Sequence, residues 1–351
     1  MGGPEYTLVE LPLVRQLESM GWTHLAGARP GAVVPTDPAA SGRRSFTEVV
    51  LEERLRRKLR EINPGPDGRP WLDDARISRA VAAITRIGAP GLLEANQRAT
   101  ELLLSGVAVD GLPGWDGGRD QRVHFVDWEH PDRNDFVVVS QFRVDEPGTQ
   151  GAKYVVPDLV LFVNGIPLVV VECKKPYAEA SIAEAVKQLL RYANRRGASV
   201  PEGNEKLFHT VQLTVATCSD RARLGTITSG PEHYATWRDP YPLTRDELAA
   251  RLGKPAEAVT AQEVLAAGVL HPERLLDIVH NFTLFMTEDG RTVKVAPRYQ
   301  QYRAVCKAVE RLRTGKTRAQ DGYADRRGGI VWHTQGSGKS LTMVFLVRKM
   351  R

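Results

Sequence analysis

The run Pro157-Asp158-Leu159-Val160-Leu161-Phe162-Val163-Asn164-Gly165-Ile166-Pro167-Leu168-Val169-Val170-Val171-Glu172-Cys173-Lys174 decides how this chain folds. Twelve of the fifteen residues from Leu159 to Cys173 are apolar, and an Asn-Gly pair between two such stretches signals a buried hairpin. Asp158 and Glu172 then stand at strand ends, where an unpartnered carboxylate is costly to desolvate and a divalent cation would neutralise the pair. Side chains alternate along a strand, so Glu172 and Lys174 share one face while Cys173 points to the other.

The register of that hairpin decides whether the acids meet. A two-residue turn at Asn164-Gly165 pairs Val163 with Ile166 and Asp158 with Val171, leaving Glu172 on the opposite face. A three-residue loop, Val163-Asn164-Gly165 with Gly165 left-handed, instead pairs Phe162 with Ile166 and sets Asp158 diagonal to Glu172. A site therefore requires that odd register or a bulge. The plain register leaves a hairpin with ordinary end charges.

After Lys174-Lys175-Pro176, residues Ala178 to Arg196 are rich in Ala, Glu, Lys, Leu and Arg, with Ile182, Val186, Leu189 and Leu190 at helical spacing. Gln188 and Tyr192 lie four apart and share one face of this expected helix. An Asp158…Glu172-x-Lys174 pattern followed by Gln188-x-x-x-Tyr192 resembles the PD-(D/E)xK nucleases, in particular the RecB-like group and the restriction subunits of Type I restriction-modification enzymes.

A second signature lies near residue 340. Gly329-Ile330-Val331-Trp332-His333 reads as a short buried strand, followed by Thr334-Gln335-Gly336-Ser337-Gly338-Lys339-Ser340 and a helix from Leu341 to Arg351. Strand, glycine loop and helix suit nucleotide phosphates: loop N–H groups cradle them, Lys339 reaches the β- and γ-phosphates, and the Ser340 hydroxyl ligates Mg²⁺. His333 occupies the first glycine position of the strict P-loop pattern. That departure is similar to motif I of the superfamily 2 helicases. Thr314-Gly315-Lys316-Thr317 has no strand before it and is a decoy. Upstream, Arg298-Tyr299-Gln300 resembles the glutamine motif of those helicases, with Gln300 as the adenine reader, since an amide pairs with both N6 and N7; Gln301 competes for that role.

Nuclease first and motor second is the order of the Type I restriction subunit. Leu8 to Trp22, Leu59 to Pro64, Asn96 to Leu104 and Ser219 to Trp237 are also similar to that family. The resemblance implies an α/β fold, a PD-(D/E)xK nuclease core with a mixed central sheet flanked by helices over residues 1–255, then a linker and the start of a RecA-like helicase lobe over 256–351. It implies Asp158, Glu172 and Lys174 as catalytic, and Gln188 and Tyr192 as positioning DNA or the lysine. Glu10 would be an additional acid near the metal. Mg²⁺ would be held by Asp158, Glu172 and the Cys173 carbonyl, and ATP with Mg²⁺ would serve the motor. The expected partners are double-stranded DNA and the methyltransferase and specificity subunits, with no membrane. The Walker B acids, arginine finger and second lobe are missing, so the chain reads as a fragment without ATPase activity. A nuclease–helicase of another repair or phage-defence system, or a DNA-binding scaffold with a decayed nuclease site, are the competing readings.

Composition is permissive. The net charge of +6 and pI near 9.2 favour a polyanionic partner. Basic clusters fall at Arg54-Arg56-Arg57-Lys58-Arg60, Arg191-Arg195-Arg196 and Arg326-Arg327, of which Arg195 and Arg196 are the favoured nucleic-acid contacts. Cys173, Cys218 and Cys306 show no pairing or zinc spacing, which suits a reduced cytoplasm. The N-terminus lacks a basic, then apolar, leader pattern, and no long uncharged apolar run occurs. Further strands are expected over Arg122 to Val126, Asp135 to Val144 and Leu207 to Thr217. The best break is Asp239-Pro240-Tyr241-Pro242, followed by a helix from Thr244 with Glu247 completing a capping box.

Overall fold

The hairpin is the centre of a seven-stranded mixed sheet in the computed structural model, which describes residues 3–28, 34–176 and 180–351. Its strands are β1 (Thr23–Ala26), β2 (Phe136–Ser140), β3 (Leu159–Val163), β4 (Ile166–Cys173), β5 (Leu213–Thr217), β6 (Ala222–Gly225) and β7 (Ala235–Thr236), adjacent in that order. β1 and β2 run parallel, as do β4 and β5, while the other pairs are antiparallel. Every residue of β2 to β5 is buried. That burial is why β3 and β4 read as unbroken apolar runs rather than alternating ones.

Of the two ways for the acids to meet, a three-residue loop or a bulge, the hairpin takes the bulge. Val163 pairs with Ile166, so Asn164 and Gly165 form a two-residue turn, and both have positive φ, 51° and 81°. The extra residue enters further along: Phe162 faces Pro167, but Leu161 faces Val169, and Leu168 is bulged out of the ladder. Beyond that bulge Leu159 pairs with Val171, and one step on Asp158 comes opposite Glu172. Proline has no N–H to give a ladder and sits in central strands only at such irregularities. Carbonyls freed there are taken up from the β5 side: the Thr210 hydroxyl donates to the Pro167 carbonyl at 2.8 Å and the Gln212 N–H to that of Leu168 at 2.8 Å.

Helix α1 (Leu11–Ser19) continues a π-helical turn at Tyr6–Glu10 and packs Leu13, Val14 and Leu17 into the core. Three helices, Glu52–Ile62, Asp74–Thr85 and Leu92–Ser105, fill the connection from β1 to β2. The helix Ser181–Tyr192 makes the crossover between parallel β4 and β5. Residues 177–179, within the span expected to start that helix, lie outside the described residues. Leu207 to Thr217 is not all strand: Glu205–Phe208 is helical and only Leu213–Thr217 pairs. Asn96 braces that break, its side-chain amide nitrogen lying 2.8 to 2.9 Å from the carbonyl oxygens of Phe208, His209 and Val211, which share its two protons. Arg122 to Val126 shortens to Gln121–Val123, and Asp135 to Val144 divides at Ser140. Thr244 caps the helix Arg245–Leu252 with the full capping box.

The packing crosses the line drawn from sequence at residue 255. Gln262 donates to the Val9 carbonyl and the Trp22 indole donates to that of Leu270, tying residues 261–282 to α1. The hairpin β8 (Leu284–Glu288) and β9 (Arg291–Val295) docks on the sheet through Lys294. Its ammonium is buried and meets Asn96 Oδ1 at 2.6 Å, Gln212 Oε1 at 2.6 Å and Thr100 Oγ1 at 3.2 Å, one acceptor for each proton. Burial pushes its pKa well below the ordinary lysine value. Packing contacts thus continue past residue 255, where this hairpin fills a polar slot in the first part of the chain. No helix among the described residues is long and apolar enough to cross a membrane.

Candidate active site

Two strand ends and a helical turn meet at an acidic cluster. The β4 bulge sets Asp158 opposite Glu172, and the Cys173 N–H donates to Asp158 Oδ2 at 2.7 Å. Glu10, at the end of the turn before α1, is brought to the same place, its Oε2 accepting at 3.1 Å from Gln141 Nε2; that nitrogen also reaches Asp158 Oδ1 at 3.4 Å. Lys174 folds back along its own strand, with Nζ 2.5 Å from Glu172 Oε1 and 3.0 Å from the Cys173 carbonyl. Cys173 itself is fully buried on the opposite face.

Collecting acids in a dry place raises their proton affinity. Burial, then the Asp158 charge, raises the Glu10 carboxyl to about 8. Burial raises Asp158 to about 6 against the opposing help of the Cys173 N–H and Lys174. Glu172 is pushed well above the carboxylate range by burial and by Asp158. Burial works against the Lys174 ammonium, but the charge and hydrogen bond of Glu172 outweigh it and hold its pKa above the usual value. Such a cluster is costly unless a cation enters.

The residues fit a hard divalent ion. Glu10 Oε1 and Glu172 Oε2 are buried with no hydrogen-bond partner, and Asp158, Glu172 and the Cys173 carbonyl offer only oxygen, the ligand type Mg²⁺ takes. Among the described residues no group of three or more His, Cys, Asp or Glu side chains is arranged to hold a metal ion alone. A cation there would therefore draw on backbone and water oxygens beside the two carboxylates.

Gln188 and Tyr192 do share a helix face, turned toward this cluster. Gln188 Nε2 donates to the Tyr192 hydroxyl at 3.0 Å, and that hydroxyl donates to the Val156 carbonyl at 3.0 Å. Tyr192 lies beside Glu172, close enough for its hydroxyl to favour the ionised carboxylate. Neither residue adds a charge to the cluster, so Gln188→Ala and Tyr192→Phe are expected to weaken DNA cleavage without removing cation binding. Mn²⁺ titration calorimetry checks this: a Gln188 variant that loses the ion as completely as Asp158→Ala contradicts a positioning role.

The basic clusters divide. Arg54 and Arg57 bind Asp135 at 2.8 and 3.2 Å, Arg60 binds Asp74 at 2.6 Å, and Arg326 and Arg327 pair with Asp321 and Asp325. These are ion-paired surfaces. Arg196 pairs with Glu202, at 3.8 Å.

The second motif takes a loop-and-helix form without its strand. Residues 329–333 pair with no strand, and Ile330 and Trp332 are about nine-tenths exposed. A lone strand would leave its N–H and C=O groups unpaired, and among the described residues no strand lies alongside. The glycine loop is nevertheless formed: Gly336 and Gly338 have φ of 76° and 80°, and Gly338 caps the helix Lys339–Met350. Lys339 Nζ points into the loop, donating to the Thr334 and His333 carbonyls at 3.1 and 3.3 Å. Gln301, not Gln300, faces the loop, its amide donating to the Gly338 carbonyl at 3.0 Å and its oxygen accepting from the Arg298 N–H. Gln300 makes no contact with that loop among these bonds and leaves its Oε1 buried without a partner. Gln301 sits on the buried face of its helix with Tyr302 and Val305.

Comparison with known proteins adds family evidence. The family model described as Type I restriction enzyme R protein N terminus matches residues 4–233, and that described as SWI2/SNF2 ATPase matches residues 300–351. The chain is similar to the Type I restriction enzyme HindI endonuclease subunit of Haemophilus influenzae, 31% identical over 344 residues, covering 97% of this chain and 30% of that protein. It is also similar to the putative type I restriction enzyme MjaIXP endonuclease subunit of Methanocaldococcus jannaschii, 26% identical over 350 residues, covering 97% of this chain and 31% of that protein. A third relative, the Type I restriction enzyme SauCOLORF180P endonuclease subunit of Staphylococcus aureus, is 26% identical over 218 residues, 62% of this chain and 20% of its own length. The chain thus spans under a third of the length of these relatives.

Proposed function

The chain belongs to the family of Type I restriction enzyme R-protein N termini, and on that premise we propose that it is the nuclease part of a restriction subunit, cutting phosphodiester bonds of double-stranded DNA at Asp158, Glu172 and Lys174. The observation that carries this reading is the β4 bulge, which brings Asp158 and Glu172 face to face beside Lys174 in an otherwise apolar sheet. Mg²⁺ held by Asp158, Glu172 and the Cys173 carbonyl would neutralise the acids and stabilise the charge that builds on the scissile phosphate.

The chain's own groups divide the remaining tasks. Lys174, kept as an ammonium by Glu172, is a donor at neutral pH and suits orienting the attacking water or the phosphate oxygen better than taking a proton. Tyr192, fixed by Gln188 and the Val156 carbonyl, lies beside Glu172 and favours its ionised form. The loop from Thr334 to Ser340, with Gln301 behind it, is the phosphate-binding end of an ATP-driven translocase in the whole subunit. Recognition of sequence falls to methyltransferase and specificity subunits in the cytoplasm.

The test is cleavage of unmodified plasmid by the full-length subunit assembled with those partners. Mg²⁺ with ATP is expected to give double-strand breaks, and excess EDTA, with ATP hydrolysis followed separately, to give none. DNA binding with no cleavage under any divalent ion would replace this reading with that of a scaffold.

A further inference from the structure

Gln141 belongs to none of the motifs that define the acidic cluster, yet it touches two of its acids. It follows β2, where a continued strand would keep extended backbone, and instead adopts φ of +50°. For a side chain other than glycine that left-handed conformation costs about 1 kcal/mol, and such conformations persist where the surroundings enforce them. The enforcement is visible here. The Gln141 N–H donates to the Asp158 carbonyl at 2.7 Å, and the Gly27 N–H at the end of β1 donates to the Ser140 carbonyl at 2.8 Å. A Cβ on Gly27 would stand 2.3 Å from the Ser140 oxygen and 2.6 Å from the Gln141 oxygen, so only glycine admits this close approach.

The bend aims the amide at the acids. Nε2 lies 3.1 Å from Glu10 Oε2 and 3.4 Å from Asp158 Oδ1, and the group has two protons, one for each. Asp158 is thereby held at both oxygens, since Oδ2 accepts from the Cys173 N–H. Glu10 arrives from an element 131 residues away, and its other oxygen has no partner. The amide is thus its hydrogen-bonded tie to the cluster.

We propose that Gln141 is a positioning residue of the cation site: its side-chain amide clamps Glu10 to Asp158 and so fixes the orientation of Asp158 and the place of the third acid. This rests on the reading of Asp158 and Glu172 as cation ligands. Partners that orient metal ligands contribute roughly 10- to 100-fold to metal affinity.

Mn²⁺ titration calorimetry on the 351-residue chain tests it, with urea unfolding to confirm that each variant is folded. Gln141→Asn is the informative variant, because asparagine tolerates the left-handed backbone while its amide stops one carbon short. It is expected to bind Mn²⁺ about tenfold more weakly than the unaltered chain. In a Glu10→Gln background, where the carboxylate that the amide clamps to Asp158 is gone, the same substitution is expected to cost clearly less, the non-additivity of residues acting as a unit. Gln141→Asn binding as tightly as the parent, or costing as much without Glu10 as with it, overturns the clamp while leaving the site itself standing. If Asp158→Ala also binds Mn²⁺ like the parent, the cation site is misplaced and the clamp falls with it.

Discussion

Asp158→Ala and Glu172→Ala are expected to lose Mn²⁺ binding and DNA cleavage together, whereas Lys174→Met is expected to lose cleavage while still binding the ion. The separation follows from what each group supplies. Asp158 and Glu172 bring the two carboxylates of the strand-end pair, and removing either leaves the cation with one charged ligand in a buried setting. Lys174 brings a cation that competes for Glu172 Oε1 at 2.5 Å, so its removal frees a ligand oxygen rather than deleting one. Losing a donor aimed at the reacting water costs roughly 10²- to 10⁴-fold in rate, which the full-length subunit in its complex would show as loss of plasmid cutting. ATP hydrolysis in the same complex is expected to persist, because the loop from Thr334 to Ser340 shares no residue with the cluster. Cleavage that survives Asp158→Ala or Glu172→Ala with little loss places the centre elsewhere. Loss of Mn²⁺ binding in Lys174→Met would make the lysine a structural support of Glu172 instead of a group acting on the reaction.

Asp158, Glu172, Lys174, Gln188 and Tyr192 were singled out by residue type, spacing and family resemblance, and the structure brings them together, the helix Ser181–Tyr192 placing the last two as a four-residue spacing requires. What could not be counted out from the turn was register. Asn164-Gly165 announces a two-residue turn, and by itself that turn puts the acids on opposite faces. Pro167 was the unread signal, because a proline near the start of a doubly buried strand marks the irregularity that shifts the ladder by one residue at Leu168. Gln141 had no local signal at all: its backbone is bent by Asp158 and its side chain is engaged by Glu10, contacts spanning 17 and 131 residues. The same holds for Asn96 and Lys294, whose bonds join a helix, a loop and a hairpin distant in sequence. Residues Ile330 to His333 read as a strand from local pattern alone, but a strand exists only beside a partner, and none accompanies it among the described residues.

Gly165→Ala is expected to destabilise the protein by about 3 kcal/mol, while the matched substitution Gly290→Ala costs about 1 to 2 kcal/mol. Both glycines occupy the second position of two-residue hairpin turns with nearly equal backbones, φ of 81° at Gly165 after Asn164 and 74° at Gly290 after Asp289. The conformational term is therefore common to the two, the penalty of a side chain in the left-handed region. Their surroundings differ. A Cβ at Gly290 meets nothing within 4 Å, but one at Gly165 would lie 2.4 Å from the Leu51 carbonyl oxygen and 3.0 Å from the Leu55 N–H. That contact is backbone at the start of the helix Glu52–Ile62, so it cannot be relieved by a rotamer change. The helix end must move, and the Leu51 N–H that donates to the Gly165 carbonyl at 2.8 Å goes with it, at a cost of about 1 kcal/mol or more for a bond lost in the interior. Asn164 cannot absorb the shift. It is fully buried, with its amide on the Phe125 carbonyl and Asn134 and its oxygen on the Asp135 N–H. Urea midpoints of the two variants, at unchanged slope, read the difference directly. Equal losses at Gly165 and Gly290 would mean that the helix yields freely, and that the turn at the far end of the hairpin from the acidic cluster is set by its own backbone preference and not by the packing around it.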